Sequence, residues 1–322
     1  MSIKACIFIL TQNNIERKVY LKNTLYFLFK NFNSNYRYPV RILHEGDYDN
    51  KSQQEIILGV RSSCRELISF VQLDKSDFEV PSHIDINKVN KLIDLQPVPY
   101  WRNLKYRLMC YFWIKNFWKY TEGFDYVMRL DDDSFIEETI VDDLFNICLT
   151  KNLVYISNFI HIDCGLCNYN MKEFFQKEFP NNQQLDGCFV KSNLNESTPI
   201  FNNFKTMYEI MFSKKYDKSD VDLNMPIMYY NNFFITSTAF WKQSIVQNLI
   251  QKIDDDGGIF YYRYGDAPLQ TLIVTMLASS QISKVKFKYS KRLQREVFID
   301  NENNFHSYMP STYNKSSCIT DK

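Results

Sequence analysis

The chain opens on an apolar run, Ile3 to Leu10, that stops at the polar turn Thr11-Gln12-Asn13-Asn14. A helical pattern follows over roughly 17–31, where Leu21, Leu25, Phe27 and Leu28 fall at helical spacing. A second apolar run, Pro39 to Leu43, ends in His44-Glu45-Gly46-Asp47; a helix over roughly 51–63 and a third strand near Ser69 to Leu73 come next. This β-α-β-α-β order predicts a parallel sheet with helices packed on it. Ligands on such sheets bind outside the carboxyl ends of the strands, so the turns at 11–14 and 44–47 are expected to line one edge.

The pattern then loosens. Residues 74–98 are polar without clear periodicity and read as a loop over that edge. A helix of roughly 100–119, rich in aromatics and cations, leads into the hydrophobic run Phe124 to Leu130 and the triplet Asp131-Asp132-Asp133. Ser134 and Glu137 have capping-box spacing for a helix running to about Cys148. Beyond it the pattern predicts strands at Leu153 to Ser157 and Asn232 to Ser237, with the rest of 151–223 of unclear form. A helix over roughly 239–253 closes at Asp254-Asp255-Asp256-Gly257-Gly258, and Arg263-Tyr264-Gly265-Asp266-Ala267-Pro268 introduces a helix over roughly 267–279. The polar tail from Asn301 carries His306. No repeat or low-complexity linker divides the chain, so 1–322 reads as a single domain.

Composition narrows the classes of function. A 45% hydrophobic, 16% aromatic chain with only 8 Gly and 9 Pro can bury a large core and is neither fibrous nor linker-rich. A net charge of +1 provides no global field to attract nucleic acid or an anionic membrane, and no nucleic-acid partner is expected. No run of about 18 apolar residues occurs, so no integral membrane segment is expected and the protein reads as soluble. Eight irregularly spaced cysteines, with Cys6, Cys110 and Cys148 in apolar stretches, read as buried free thiols in a reducing, cytoplasmic compartment.

The acidic triplet is the first place to look for chemistry. Asp131 and Asp133 stand two residues apart at the end of a strand, hence on one side of the chain with Arg129. Two hard oxygen ligands suit Mn²⁺ or Mg²⁺, metals that also hold substrate phosphates. The competing structural reading is a helix cap with a solvated turn. Asp266 has a similar pair of readings, active-site acid or helix cap ahead of Pro268. Asp254 to Asp256 read as a solvated helix end. His161, Cys164, Cys167 and Cys188 have zinc-compatible spacings but lack the two close ligand pairs of a zinc site. The GxxxxGK[ST], GxGxxG and GxSxG patterns are absent, which removes the main support for P-loop, dinucleotide-binding and hydrolase readings.

Several tracts recur in the order of one family. These are Tyr106-Arg-Leu-Met-Cys-Tyr-Phe112, Tyr126-Val-Met-Arg-Leu-Asp-Asp-Asp133, Phe240-Trp241 and Gly257-Gly-Ile-Phe-Tyr-Tyr-Arg-Tyr-Gly-Asp-Ala-Pro268. The chain resembles the fungal α-1,2-mannosyltransferases of the Kre2/Mnt1 type, glycosyltransferase family 15. The resemblance implies a GT-A fold, α/β with a mixed, mostly parallel central sheet flanked by helices. It also implies Mn²⁺-dependent retaining transfer from the donor GDP-mannose to a glycan or glycoprotein acceptor. It places Asp131, Asp133 and His306 at metal positions and Tyr106 and Asp266 in the active site. Thr11 and Glu45, in the two turns, are candidates for base and ribose, and Arg107, Arg129 and Arg263 for phosphates or for holding the acids. Phe234 departs from the pattern, standing where the family has a Glu proposed as nucleophile. That leaves donor-assisted front-face transfer, polarity supplied by Asn231 or Asn232, or loss of turnover in a sugar-binding pseudo-enzyme. A different donor, such as a UDP-sugar, is the other alternative.

Overall fold

The computed structural model describes residues 3–96, 101–191, 199–217, 223–291, 296–299 and 305–308. The fold is mixed α/β, with a mostly parallel central sheet flanked by helices. The chain partitions into two compact units, and each is taken separately.

The first unit contains 1–73, 126–147 and the segment from 286. Its strands run in the order Tyr126–Leu130, Ala5–Leu10, Val40–His44 and Ile68–Gln72, all parallel. Ile7 pairs with Val40, Phe8 with Arg129, and Val40 with Ile68. The inner strands are buried almost throughout, as expected for parallel strands covered on both faces, whereas Ile68–Gln72 at the edge is partly exposed. Asn14 caps the Ile15–Leu28 helix through the Arg17 N–H at 2.9 Å, and Asp49 caps Asn50–Leu58 through Ser52. The capping box expected at Ser134 is not formed. Ser134–Ile136 is a short strand paired antiparallel with Tyr289–Lys291, and the Ser134 hydroxyl meets Tyr289 Oη at 2.6 Å. Asp143 instead caps the Leu144–Thr150 helix, accepting from the Phe145 and Asn146 N–H groups. The backbone of Glu296–Ile299 and Phe305–Tyr308 forms an antiparallel pair in which Phe298 faces His306.

The second unit contains 74–125 and 148–285. Tyr155–Ser157 pairs parallel with Ile282–Lys284 and antiparallel with Phe233–Ser237. A second sheet sets Asn224–Tyr229 between Ile160–Ile162 and Phe189–Lys191. The region 74–98 is a helix rather than a loop over its described part. Asp85 caps Ile86–Leu95, which buries Val89, Leu92 and Ile93 at helical spacing. The Asp266–Ala278 helix is buried nearly all round, and its Thr271 hydroxyl accepts the Tyr229 N–H at 2.7 Å. Aromatic rings fill the core: Trp118 stacks on Trp241 at 4.3 Å and 10°, and Trp241 donates to Thr236 at 2.8 Å. Phe234 is fully buried and stacked on Tyr155 at 5.2 Å.

Candidate functional site

In the first unit the carboxyl end of the sheet gathers the predicted turns. The Thr11 N–H donates to Leu43 O, and the Asn13 side chain donates to Asp47 O at 2.7 Å, tying turn 11–14 to turn 44–47. His44, buried beneath, accepts the Gly46 N–H at 3.1 Å. Glu45 is exposed on this second turn. Asp131, Asp132 and Asp133 follow the strand directly.

The triplet does not divide as the strand period suggested. Arg129 Nε donates to Asp131 at 2.9 Å, so the expected pairing of Arg129 and Asp131 is present. Asp132, which the two-residue period points the other way, is also part of the cluster. It accepts the Thr11 hydroxyl at 2.7 Å and pairs with Arg17 at 3.1 Å, while its backbone carbonyl accepts from Thr24. Burial pushes its carboxyl up to about 7; Asp133 and Asp131 reinforce this, and Arg17 and Thr11 oppose it. Burial alone would lower the Arg17 pKa, but the charges of Asp132, Asp133 and Asp131 outweigh it and raise it. Asp133 is buried, 3.4 Å from Arg17 and 3.8 Å from Lys291, and Lys291 stands 4.0 Å from Asp131. Arg17, Lys291 and Asp132 are therefore members the sequence reading missed. The first lies on the helix opened by Asn14, and the second is too distant in sequence to be read from the motif.

Among the described residues no group of three or more His, Cys, Asp or Glu gathers into a metal cage. Mn²⁺ and Mg²⁺ do not require one, since one or two carboxylates together with substrate phosphates and water suffice. Asp131 and Asp133 offer hard oxygens that already face cationic nitrogen, so the residues present fit such an ion. The His306 side chain lies outside the described part of the structure.

A second cluster occupies the second unit. Asn231 and Asn232, both buried, form the turn between Asn224–Tyr229 and Phe233–Ser237. Asn231 donates to Asp266 at 2.7 Å and to Gln270 at 3.2 Å. Gly265, not Asp266, is the N-cap of the last long helix, so Asp266 is free of the capping role that competed for it. Arg263 lies behind it in the left-handed region, at φ +84°, a conformation that costs a non-glycine residue about 1–3 kcal/mol. Its guanidinium meets Asp163 at 3.3 Å and lies over the Tyr106 ring at 5.7 Å. Tyr106 sits on the Leu104–Tyr111 helix, opened by Asn103, and burial raises its phenol well above the ordinary value.

The next residue on that helix, Arg107, is fully buried, and one nitrogen donates to Phe260 O. Its Nε and Nη2, and the Nε of Arg263, find no hydrogen-bond partner in the structure. Burial, with the Arg263 charge adding to it, brings the Arg107 pKa down to about 10. Two buried guanidinium groups with spare donors suit anionic or hydroxyl-rich ligands.

Similarity to known proteins agrees with this chemistry. The chain is 25% identical over 275 residues to the Saccharomyces cerevisiae mannosyltransferase KTR6, covering 81% of this chain and 56% of that protein. It is 22% identical over 251 residues to Candida albicans glycolipid 2-alpha-mannosyltransferase 2, covering 76% and 49%. The chain thus spans about half the length of the curated relatives it matches. In structure it resembles the S. cerevisiae mannosyltransferase Ktr4p in complex with GDP, with a TM-score of 0.70, 20% identity and coverage of 90% and 71%. It also resembles Aspergillus fumigatus core-mannan synthase A in its Mn/GDP form, with a TM-score of 0.69, 17% identity and coverage of 90% and 74%. The family model described as glycolipid 2-alpha-mannosyltransferase matches residues 1–290, and the chain belongs to that family.

Proposed function

We propose that the protein is a metal-dependent retaining glycosyltransferase that moves mannose from GDP-mannose to a glycan hydroxyl. The observation that carries the reading is the acidic turn after Tyr126–Leu130, bonded to the Thr11 turn and lined by Arg17, Arg129 and Lys291. Asp131 and Asp133 would hold Mn²⁺ or Mg²⁺, with His306 as a third ligand. When bound, such an ion neutralises the charge that develops on a leaving nucleoside diphosphate. Thr11 and Glu45 face the nucleoside, and Arg17, Arg129 and Lys291 set the field around the phosphates. GDP in the Ktr4p complex and Mn/GDP in core-mannan synthase A support this choice of donor and metal.

Asp266 orients the acceptor hydroxyl and takes its proton, held in place by Asn231, with Asn232 and Tyr106 supplying polar contacts. Arg107 and Arg263 offer the spare donors for an anionic or hydroxyl-rich group. Phe234 is a core ring with no oxygen to offer as nucleophile, so the retaining outcome rests on front-face attack assisted by the donor. The single-domain reading belongs to the same proposal. So does a reducing compartment, supported by free thiols at all seven described cysteines. No helix among the described residues is long and apolar enough to cross a membrane.

Calorimetric titration with GDP, UDP and GDP-mannose, in Mn²⁺ and in chelator, tests the reading. Metal-dependent binding of GDP and GDP-mannose is the expected result. Preference for UDP would overturn the donor, and absence of any nucleotide binding would leave a pseudo-enzyme. Asp133→Ala should remove the Mn²⁺-dependent part of GDP binding while far-UV dichroism is unchanged. Binding equal to the parent would remove the carboxylate from the site.

A further inference from the structure

Cys164-Gly165-Leu166-Cys167 closes a tight turn, with the Cys167 N–H on Cys164 O at 3.2 Å. A four-residue turn of this kind brings its terminal Cα atoms within about 7 Å, and a disulfide spans about 4.4–6.8 Å between them. The two thiols hydrogen-bond each other. Asp163 fixes the turn by accepting the Cys164 N–H at 2.8 Å and the Asn168 amide at 2.9 Å. The Arg263 guanidinium, bound to the same Asp163, also reaches Cys167. Cys164 is half-buried and Cys167 is buried behind it.

The other cysteines sit differently. Burial pushes Cys6 up to about 12 and Cys188 to about 11, and raises Cys110 well above the ordinary thiol. Cys167 moves the opposite way: the Cys164 thiol and then the Arg263 charge lower its pKa against the effect of burial. A thiolate stabilised by a neighbouring cation is the reactive form of cysteine.

We propose that Cys164 and Cys167 form a peroxide-reactive dithiol that closes reversibly into an intramolecular disulfide. The Cys167 thiolate attacks one oxygen of a hydroperoxide, and the O–O bond breaks. Sulfur is oxidised by two electrons to a sulfenic acid, and the departing oxygen leaves as hydroxide that takes up the Cys167 proton. The Cys164 thiol then attacks the sulfenic sulfur; the S–S bond forms, the S–O bond breaks, and hydroxide leaves as water with the Cys164 proton. Two thiols and one peroxide thus become one disulfide and two waters, and an external dithiol reverses the closure by exchange. The disulfide consumes the sulfur that Arg263 touches, so Asp163 is left as that guanidinium's remaining named acidic partner.

The test uses the reduced full chain, titrated with hydrogen peroxide, quenched, unfolded, alkylated with iodoacetamide and mapped by peptide mass. The protein should lose the mass of two hydrogens. Cys164 and Cys167 should lose alkylation together and regain it in dithiothreitol, while Cys6, Cys110 and Cys148 stay alkylated throughout. In Cys164→Ser the disulfide cannot close, and Cys167 should carry added oxygen at the same peroxide dose. Earlier oxidation of any other cysteine, or independent oxidation of the pair without the joint loss of alkylation, would overturn the proposal. Mass and alkylation are read on the parent protein without nucleotide, so either outcome stands apart from the donor reading.

Discussion

Asp256 shows how much one buried carboxyl can set. Burial pushes it up from 3.8 to about 6, against the Gly258 N–H and the Lys177 charge. A carboxyl with a raised folded pKa binds its proton more tightly in the folded chain, so its contribution to stability falls as pH climbs between about 4 and about 6. Asp256→Asn cannot ionise, so the variant should gain thermal stability relative to the parent as pH rises through that window. Difference scanning calorimetry at pH 4, 5, 6 and 7 reads it, and parallel profiles would contradict the assignment. Asp132 and Asp266 make a different point at the same scale. Both were visible as acids in the sequence, but their partners were not. Arg17, Lys291 and Asn231 reach them across 24 to 160 positions of chain, and no local pattern encodes such contacts.

At the scale of elements, the Gly-Gly block has a steric reason. A Cβ on Gly258 would fall 2.1 Å from Tyr264 Cε2, and Tyr264 is itself pinned by its hydroxyl donating to Tyr169 O at 2.8 Å. Gly258→Ala should destabilise the chain by about 1–3 kcal/mol, the usual range for overpacking, measurable by urea unfolding. Gly257 lies at φ +69°, where glycine is also the favoured residue. The strands Ala5–Leu10, Val40–His44, Ile68–Gln72, Tyr126–Leu130 and Phe233–Ser237 were legible because buried strands read as continuous apolar runs. The Ile86–Leu95 helix was missed because its apolar face holds few residues amid many polar ones. Ser134 was misread because a capping spacing is local, whereas the strand it joins is paired with a segment 155 residues away.

For the whole molecule, nucleotide binding should appear as stability. A ligand bound only by the folded chain at a hundred times its Kd adds about 2.7 kcal/mol. GDP with Mn²⁺ should therefore raise the melting temperature of the parent, with chelator abolishing the rise and Asp133→Ala failing to show it. No shift at saturating GDP would count against the donor reading. The stacked indoles bear on how such a shift is observed. All four tryptophans, Trp101, Trp113, Trp118 and Trp241, lie in the second unit, and the first contains none. Indole fluorescence is thus an optical label carried by one unit, whereas peptide dichroism samples both. Melting curves that coincide in the two signals would mark one cooperative transition, and curves that part would show the unlabelled unit unfolding on its own.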